Sequence, residues 1–282
     1  MGGYVRFLDS EEGGDLGISS SPDSRSLTVF KKLRGEPIMK KKMYVLGVAA
    51  LVAAMLALSG VAQSAMWVGA ELGGNFPLNT TIKADAPGLT GNLSNVHVLP
   101  SVIGGLTLGY DFVNSGFGGR AWPGWMQYFS FATDLTYNRL EIRGGQQVNV
   151  NVNGVNLGNA LLPSTIRLKG YEVAWTFLFM AHYGFLRDSE VPSGRINPYI
   201  GVGPAILWSG FENPFGGGGA SAMNVALVVE PGIRWVVLPN VSIDTAMRYR
   251  YAAPSYDITN NVSLTANPLH QIAFLLRANY HF

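Results

Sequence analysis

The sequence predicts an all-β fold, a closed antiparallel, up-and-down transmembrane β-barrel of eight strands. Eight segments alternate apolar and polar residues with a period of two, as strands with one apolar face do. These segments are about ten to sixteen residues long, whereas globular strands average about 5–6 residues and a tilted membrane strand needs about 9–11. The chain holds 35 Gly, with 11% aromatic and 13% charged residues. This composition suits many strands and turns with an apolar outer face.

The segment before the first strand predicts export. Met39 is followed by three lysines, the apolar run Val45–Leu58 and then small residues. A charged start, a short apolar run and a small-residue exit are typical of a secretory signal peptide, here 39–65. The apolar run is too short to span a bilayer as a stable helix. We expect cleavage after Ser64, with Ala62 and Ser64 at the two small positions.

The first 38 residues precede a complete signal peptide, contain many charges and show no periodicity. Two interpretations stay open. Translation starts at Met39, so that 1–38 are not part of the protein, or 1–38 form a disordered extension. The predicted barrel then occupies 66–282, a length that suits one barrel domain.

The charge balance excludes some classes of function. The chain has 20 basic and 18 acidic residues, of which eight and six lie in 1–65, so the predicted barrel carries twelve of each. A formally neutral domain gives no argument for nucleic acid or an acidic substrate. The chain has no Cys, which fits an exported protein without disulfides, thiol-bound metal or N-terminal lipidation. We expect no cofactor and no metal.

Each of the eight segments has an apolar face that we expect to meet lipid. The predicted strands are Met66–Phe76, Val98–Val113, Met126–Ile142, Leu168–Tyr183, Ile196–Phe211, Ala222–Val237, Val241–Tyr251 and Leu269–Phe282. Their outward residues include, in the same order, Val68, Ala70 and Leu72; Val102, Leu106 and Leu108; Phe129, Phe131 and Leu135; Tyr171, Trp175 and Phe179; Ile200, Val202 and Ile206; Val225, Leu227 and Ile233; Ile243, Met247 and Tyr251; and Phe274, Leu276 and Tyr280.

The opposite faces of the strands carry charges. These are Glu71, Asp111, Asp134, Glu172, Glu230, Arg234, Asp244, Arg248, Arg250 and Arg277. Side chains just fill the interior of an eight-stranded barrel, and an unpaired buried charge is costly, so we expect these charges to pair. A salt-bridged interior without a channel is the main prediction, and a narrow pore or small-ligand path is the alternative. The core of the network is predicted to be Glu230, Arg234, Asp244, Arg248 and Arg250, which lie on two neighbouring strands.

Aromatic residues recur near the strand ends, where rings at a lipid–water boundary are expected. They are Trp67, Tyr110, Tyr128, Tyr137, Tyr171, Tyr183, Trp208, Trp235, Tyr251 and Tyr280.

The connections between strands alternate in length, as in membrane barrels with long outer loops and short periplasmic turns. The long or Gly/Asn-rich connections 77–97, 143–167, 212–221 and 252–268 are predicted at one end. The connections 184–195 and 238–240 are predicted at the other end. Segment 114–125 is too long for a turn there, and its tryptophans suggest only an interfacial anchor.

The second long connection is predicted to contain a hairpin. Valines alternate with asparagines from Val148 to Val152, and the turn dipeptide Asn153-Gly154 follows.

Catalysis is not predicted. The four histidines are scattered, and a hydrolase needs a nucleophile, a base and an orienting carboxylate in mutual reach. Only His182 and Glu172 can be combined on paper, and no Ser lies in a recognisable motif beside them. An outer-membrane lipid-modifying enzyme remains a rival interpretation.

The chain resembles the small OmpA-like outer-membrane β-barrel family of Gram-negative bacteria. The resemblance covers roughly residues 66 to 282 and depends on the signal peptide, the eight alternating strands, PYIGVGPAI at Pro198–Ile206 and the aromatic C-terminus. The family's separate peptidoglycan-binding domain is not expected here, since the sequence ends at the last strand.

The resemblance implies an outer-membrane location and a set of partners. Outer-membrane lipid, lipopolysaccharide, periplasmic chaperones and the barrel-assembly machinery are expected, while the partner of the loops stays open. By the same resemblance, the assembly machinery would read a C-terminal signal that consists of Phe274, Leu276, Tyr280 and Phe282.

Overall fold

The computed structural model describes residues 66–112, 122–165, 167–212, 219–259 and 262–282. The predicted extension 1–38, the predicted signal peptide 39–65 and most of segment 114–125 lie outside the described residues. Among the residues that are described, no helix is long and apolar enough to cross a membrane.

The described residues form fourteen strands and one short 3-10 helix, Gly124–Tyr128. The strands are β1 (Met66–Pro77), β2 (Thr80–Ala86), β3 (Leu89–Val96), β4 (Ser101–Asp111), β5 (Phe129–Arg143), β6 (Gln147–Val152), β7 (Val155–Leu161), β8 (Arg167–His182), β9 (Ile196–Phe211), β10 (Ala220–Leu238), β11 (Val241–Ala252), β12 (Ser255–Thr259), β13 (Val262–Ala266) and β14 (Leu269–His281).

Eight of these strands close into a barrel. The order around it is β1-β14-β11-β10-β9-β8-β5-β4, and β4 pairs with β1 to complete the circle. Every pair of neighbours is antiparallel. Barrel strands that follow one another along the chain are also adjacent, so the topology is up-and-down. The predicted fold class is confirmed, and each of the eight predicted strands overlaps one barrel strand.

The barrel is apolar outside and charged inside. Outward side chains such as Leu72, Val102 and Val225 are 63%, 70% and 72% exposed, while the inner face buries carboxylates, guanidinium groups and amides together with apolar side chains such as Leu178 and Leu207. Exposed apolar side chains along every barrel strand and several buried charges are both unusual in a water-soluble domain. The alternating inner and outer faces follow the sequence prediction.

Aromatic side chains lie toward both ends of the outer face, as predicted. Tyr171 and Tyr183 are both exposed there and are twelve residues apart along one strand and its extension. At a rise of about 3.4 Å per residue and a tilt of about 45°, their separation along the barrel axis is about 28 Å, close to the thickness of a hydrocarbon core.

A second sheet lies at the end of the barrel opposite Met66 and His281. It has six strands in the order β12-β13-β2-β3-β6-β7, which come from the first, second and fourth long connections. Strand pairs β13–β2 and β3–β6 join different connections. The sequence analysis did not predict this sheet, apart from the β6–β7 hairpin.

The β6–β7 hairpin and its turn are as predicted. Asn153 and Gly154 have φ angles of 49° and 81°, the left-handed conformation that both central residues of a type I′ turn require. The hairpin places Val148 on the buried side of the sheet.

Candidate functional site

The structure places all ten predicted charged residues on the inner face of the barrel. Nine of them are almost fully buried, and Asp111 is partly exposed. They form two groups, which we call the central network and the outer pair. The central network consists of Glu71, Asp111, Asp134, Glu230, Arg234, Asp244, Arg248 and Arg277. The outer pair is Glu172 and Arg250.

Charges of opposite sign lie directly opposite one another across neighbouring strands. Arg277 on β14 is in register with Glu71 on β1 and with Asp244 on β11. Asp244 is in turn in register with Arg234 on β10. Cross-strand neighbours on one face of a sheet are close enough to bond. The strand register therefore creates a row of alternating charge over four adjacent strands.

All three guanidinium nitrogens of Arg277 donate hydrogen bonds to carboxylates. Its Nε and Nη2 donate to Glu71 Oε2 at 3.0 and 2.7 Å. Its Nη1 donates to Asp244 Oδ2 at 3.4 Å, and its Nη2 also lies 3.2 Å from Glu230 Oε1. A guanidinium group with its donors shared among three carboxylates is held in one orientation.

Arg248 connects this row to the far wall. Its Nη1 and Nη2 donate to the two carboxylate oxygens of Asp134 at 3.1 and 2.7 Å. Its Nε donates to Glu230 Oε2 at 2.6 Å. The planar guanidinium matches the two oxygens of a carboxylate, so this pairing fixes both side chains.

The central network closes the barrel. At most 1% of the side chain is exposed to solvent in each of Arg248, Arg277, Asp134, Glu230 and Asp244. No space for a water molecule therefore adjoins these groups. At this level the interior is filled by paired charges.

Trp67 lies inside the barrel, so its predicted place at the lipid–water boundary is wrong. Its indole is fully buried, its Nε1 donates to Asp111 at 3.2 Å, and Arg234 lies over the ring at 4.4 Å. The reason is the period of two: Trp67 shares its face of β1 with Glu71. Gly109, its partner in register on β4, provides the room, since a Cβ there would lie 2.0 Å from the indole.

Arg250 is not part of the central network, so its predicted place in the core of that network is wrong. Its Nη1 donates to Glu172 Oε1 at 2.5 Å, and Gln271 Nε2 donates to the other oxygen at 2.9 Å. Arg250 follows Arg248 by two residues on β11, a distance of about 6.6 Å along the strand. It therefore lies in the next layer of inward side chains. It pairs with the carboxylate present in that layer.

The sequence analysis missed the neutral groups that bond to both clusters. Tyr199 Oη donates to Glu230 Oε1 at 3.1 Å, and Asn75 Nδ2 donates to Gln271 Oε1 at 3.4 Å. The alternation placed Tyr199 and Gln271 on the inner face, but their partners depend on strand register, which the pattern of one strand does not give.

A wide cavity opens at the end where β1 begins and β14 ends. Its volume is about 580 Å³, and its walls include His182, His281, Arg234, Tyr199 and Phe282. We call it the terminal vestibule. It ends at the central network, since Arg234 belongs to that network and also lines the cavity.

One ion pair in the connection between β8 and β9, which lines part of the vestibule, shifts a pKa. Arg195 Nε donates to Asp188 Oδ2, and the amide of Val191 donates to Asp188 Oδ1 at 2.7 Å. The hydrogen bond from Arg195 and then that from Val191 lower the pKa of Asp188 below its usual value.

The structure does not bring His182 and Glu172 together as a catalytic pair. Glu172 bonds to Arg250 and Gln271 in the outer pair, whereas His182 lines the terminal vestibule. Among the described residues, no group of three or more His, Cys, Asp or Glu side chains is arranged to hold a metal ion.

The four residues of the predicted C-terminal signal occupy the last strand and its end. Phe274, Leu276 and Tyr280 are exposed on the outer face. The amide of Phe282 donates to Met66 O at 3.0 Å, and its ring lies edge-on to Tyr280. Ala62 and Ser64, at the predicted cleavage site, lie outside the described residues.

Comparison with known proteins gives similarity to solved barrels only. No family model matches the chain, and no curated protein matches it. The chain is similar to Neisserial surface protein A, with 15% identity, a TM-score of 0.41, and coverage of 77% of this chain and 97% of that one. It is similar to OprG from Pseudomonas aeruginosa, with 12% identity, a TM-score of 0.43, and coverage of 79% and 99%. It is similar to Ail from Yersinia pestis, with 14% identity, a TM-score of 0.36, and coverage of 77% of this chain and 99% of that one.

Proposed function

We propose that this chain is an integral β-barrel protein of the outer membrane of a Gram-negative cell, with a closed interior and a structural or surface-interaction role rather than a catalytic one. The observation that supports it is the apolar outer face of the barrel around a charged interior. Exposed apolar side chains occur on the outer face of all eight barrel strands, including Leu72, Leu106, Leu135, Trp175, Val202, Leu227, Met247 and Phe274.

Hydrocarbon is the solvent that suits this surface. In water, each of these side chains would keep its apolar area hydrated, at a cost of about 25 cal/mol per Å² relative to burial. In lipid, the same area is solvated, and the closed hydrogen-bonded circle leaves no barrel strand without a partner on either side. The aromatic residues near both ends then lie at the two boundaries of the bilayer.

The closed interior supports a role that does not require passage through the barrel. The central network spans the lumen with charges of opposite sign that pair with one another. The six-stranded sheet lies at the end with the long connections, which is the end that membrane barrels of this kind expose outside the cell. We propose that this sheet is the surface offered to other molecules. Lipid and lipopolysaccharide would contact the outer face of the barrel.

Export by the predicted signal peptide 39–65 and insertion by the barrel-assembly machinery, with periplasmic chaperones, belong to the same proposal. They follow from the sequence and from the OmpA-like resemblance.

Cell fractionation combined with gel mobility tests the location. We expect the protein in the outer-membrane fraction, extracted only by detergent, and an unheated sample that migrates as a compact form and shifts on boiling. A processed chain that is found monomeric in the periplasm without detergent would overturn the proposal.

A narrow pore or small-ligand transporter is the second candidate, favoured by the terminal vestibule. Its 580 Å³ already brings solvent as far as Arg234, so the central network and the outer pair separate it from the other end. The ten inner charges comprise six carboxylates and four guanidinium groups, and an excess of carboxylates favours cations. Planar-bilayer recording separates the candidates. The closed barrel predicts no conductance steps, whereas a pore predicts cation-selective steps that change when Arg248 is substituted.

A further inference from the structure

A second, smaller cavity lies between the barrel and the six-stranded sheet. Its barrel wall includes Ile142 of β5, Leu168 of β8 and Phe211 of β9. Its roof includes Ile82 of β2 and Leu264 of β13. Because β2 and β13 come from different connections and pair with each other, the roof is a fixed part of the sheet. We call this space the roof cavity.

The roof cavity offers no free side-chain hydrogen-bonding group. Only two residues with polar side chains line it. Thr80 Oγ1 donates to Pro268 O at 2.8 Å, and the Tyr256 hydroxyl is bonded to Ser209 Oγ at 2.8 Å. A buried water needs about two to four polar partners. Water is therefore a poor occupant of this cavity, and an apolar molecule gains whatever contacts its surface makes with the walls.

The size of the cavity limits the occupant. Its volume is about 90 Å³, and an engineered apolar cavity of about 150 Å³ in another protein stays dry and binds benzene or xenon. The roof cavity therefore takes one small ring or a few carbons of a chain, with slight movement of its walls.

We propose that the roof cavity is a binding site for a small hydrocarbon group, of the size of a benzene ring or the last few carbons of an acyl chain. This goes beyond the proposed function, because neither the membrane location nor the closed interior requires a ligand at this end. A bound group would contact Ile82 and Leu264 on one side and Ile142 and Leu168 on the other. It would therefore hold the sheet against the barrel.

Methyl NMR of the protein in lipid nanodiscs tests this with benzene as the probe. Ile82 and Ile142 face the cavity, whereas Ile200 is exposed on the outer face, where benzene dissolved in the bilayer also reaches it. We expect saturable shifts at Ile82 and Ile142 and a linear, unsaturated shift at Ile200. Linear shifts at all three would overturn the proposal.

Two Ala→Leu substitutions in the same connection form a matched pair. Ala266 lines the cavity, so Ala266→Leu fills it and is expected to weaken benzene binding at least tenfold. Ala253 is exposed and lies outside the cavity, so Ala253→Leu leaves binding unchanged. Equal binding by both variants would contradict the site. The heat-shifted gel form shows that each variant is folded.

A variant that enlarges the cavity provides a second test of the site if Ala266→Leu does not fold. Leu269 is buried and lines the cavity, so Leu269→Ala enlarges the space. We expect Leu269→Ala to bind naphthalene more tightly than the unchanged protein does. Failure of naphthalene to bind more tightly would count against the cavity as the binding site.

The source of the group is distinguished in a separate arm without benzene. Nanodiscs are made from deuterated lipid that carries protons only on the terminal methyl of each chain. Nuclear Overhauser contacts from those methyls to Ile82 and Ile142 would assign the cavity to lipid chains, and added benzene should remove them. Their absence, together with saturable benzene binding, would assign it to a free small molecule.

Discussion

Arg248 on β11 donates two hydrogen bonds to Asp134 on β5, the strand on the opposite side of the barrel. Three strands separate β11 from β5 in either direction around the circle. The pair therefore spans the lumen, as does the pair of Arg234 on β10 and Asp111 on β4, at 3.5 Å. The Arg248–Asp134 pair is the more deeply buried of the two, so it both blocks the barrel and connects its far walls.

Removing one member of this pair should strongly destabilise the barrel. Arg248→Met leaves Asp134 buried without its charged partner, which in other proteins costs about 3–5 kcal/mol. We expect a loss of this size in the free energy of unfolding, measured by urea titration of protein folded into lipid vesicles. The double variant Arg248→Met, Asp134→Leu should lose less than the sum of the single changes, because it leaves neither of the two groups unpaired.

An exposed arginine provides the control. Arg143 pairs with Glu141 at 2.9 Å, but 57% of its side chain is exposed. Exposed pairs contribute about 0–1 kcal/mol, so Arg143→Met should change stability little. A similar loss for Arg143→Met and Arg248→Met would contradict the role given to burial in the central network.

The sequence predicted the barrel well because alternation is a local property. Each strand shows its own period of two, so the eight strands and the inward position of Glu71, Asp134 and Arg248 could be read one strand at a time. Pairing is not local. The separation of Arg250 from the central network depends on the register between strands. The inward position of Trp67 follows from the period of two along β1, but its place between Arg234 and Gly109 again depends on register.

The outer sheet could not be predicted for the same reason. Strands β2, β3, β12 and β13 are each five to eight residues long and lack a clean apolar face. They are stabilised by partners from other connections, which no local pattern identifies. The β6–β7 hairpin was the exception, because its strands are adjacent in sequence and Asn153-Gly154 determines the turn.

Gly109 should not tolerate a side chain. The Cβ of Gly109→Ala would lie 2.0 Å from the Trp67 indole, which is itself confined beneath Arg234. Overpacking of this kind costs about 1–3 kcal/mol, to be measured by the same urea titration. On the same strand, a Cβ at Gly104 comes no closer than 3.6 Å to its neighbours, so Gly104→Ala is the control. Replacing the indole with a smaller side chain, Trp67→Leu, should restore the stability lost in Gly109→Ala. Equal losses of stability for Gly109→Ala and Gly104→Ala would contradict this packing.

The connection between β8 and β9 should loosen when the pH falls below the ordinary pKa of aspartate. Because the pKa of Asp188 is lowered in the folded state, its contribution is fully present above the ordinary aspartate pKa of about 3.9 and is lost as the pH falls through the lowered value. The amide NMR signals of Glu190 and Val191, which both donate to Asp188, should report this titration.

Substitution of two neighbouring arginines separates the causes. Arg195→Gln removes the main interaction that lowers the pKa of Asp188, so the midpoint should rise toward the ordinary value. Arg187 instead donates to Gly184 O, so Arg187→Gln should leave the midpoint unchanged. A midpoint that is insensitive to Arg195→Gln would show that another group sets it.

Deletion of Phe282 should impair assembly in cells more than folding in vitro. The residue follows β14 and contacts Met66 and Tyr280, while β14 itself is paired along its length with β1 and β11. By the OmpA-like resemblance, the assembly machinery would read the terminal aromatic residue through strand addition. We expect less protein in the outer membrane but normal refolding into detergent, with Phe282→Tyr as the control. Normal membrane levels of the truncated chain would contradict this.

Asn153 should control how firmly the first and second connections are held together. Its side-chain Oδ1 accepts a hydrogen bond from the backbone amide of Thr90 at 2.8 Å, and its backbone amide donates to Thr90 O at 2.8 Å. Asn153→Gly keeps the left-handed backbone but removes the side-chain acceptor, so β3 should separate from β6 more often. Trypsin added to intact cells should then cleave after Lys83, in the adjoining β2, several times faster. Asn156 bonds within its own hairpin, so Asn156→Gly should not accelerate cleavage, and Asn153→Asp, which retains the acceptor, should preserve protection. Equal cleavage rates for Asn153→Gly and Asn156→Gly would show that the side chain of Asn153 does not join the two connections.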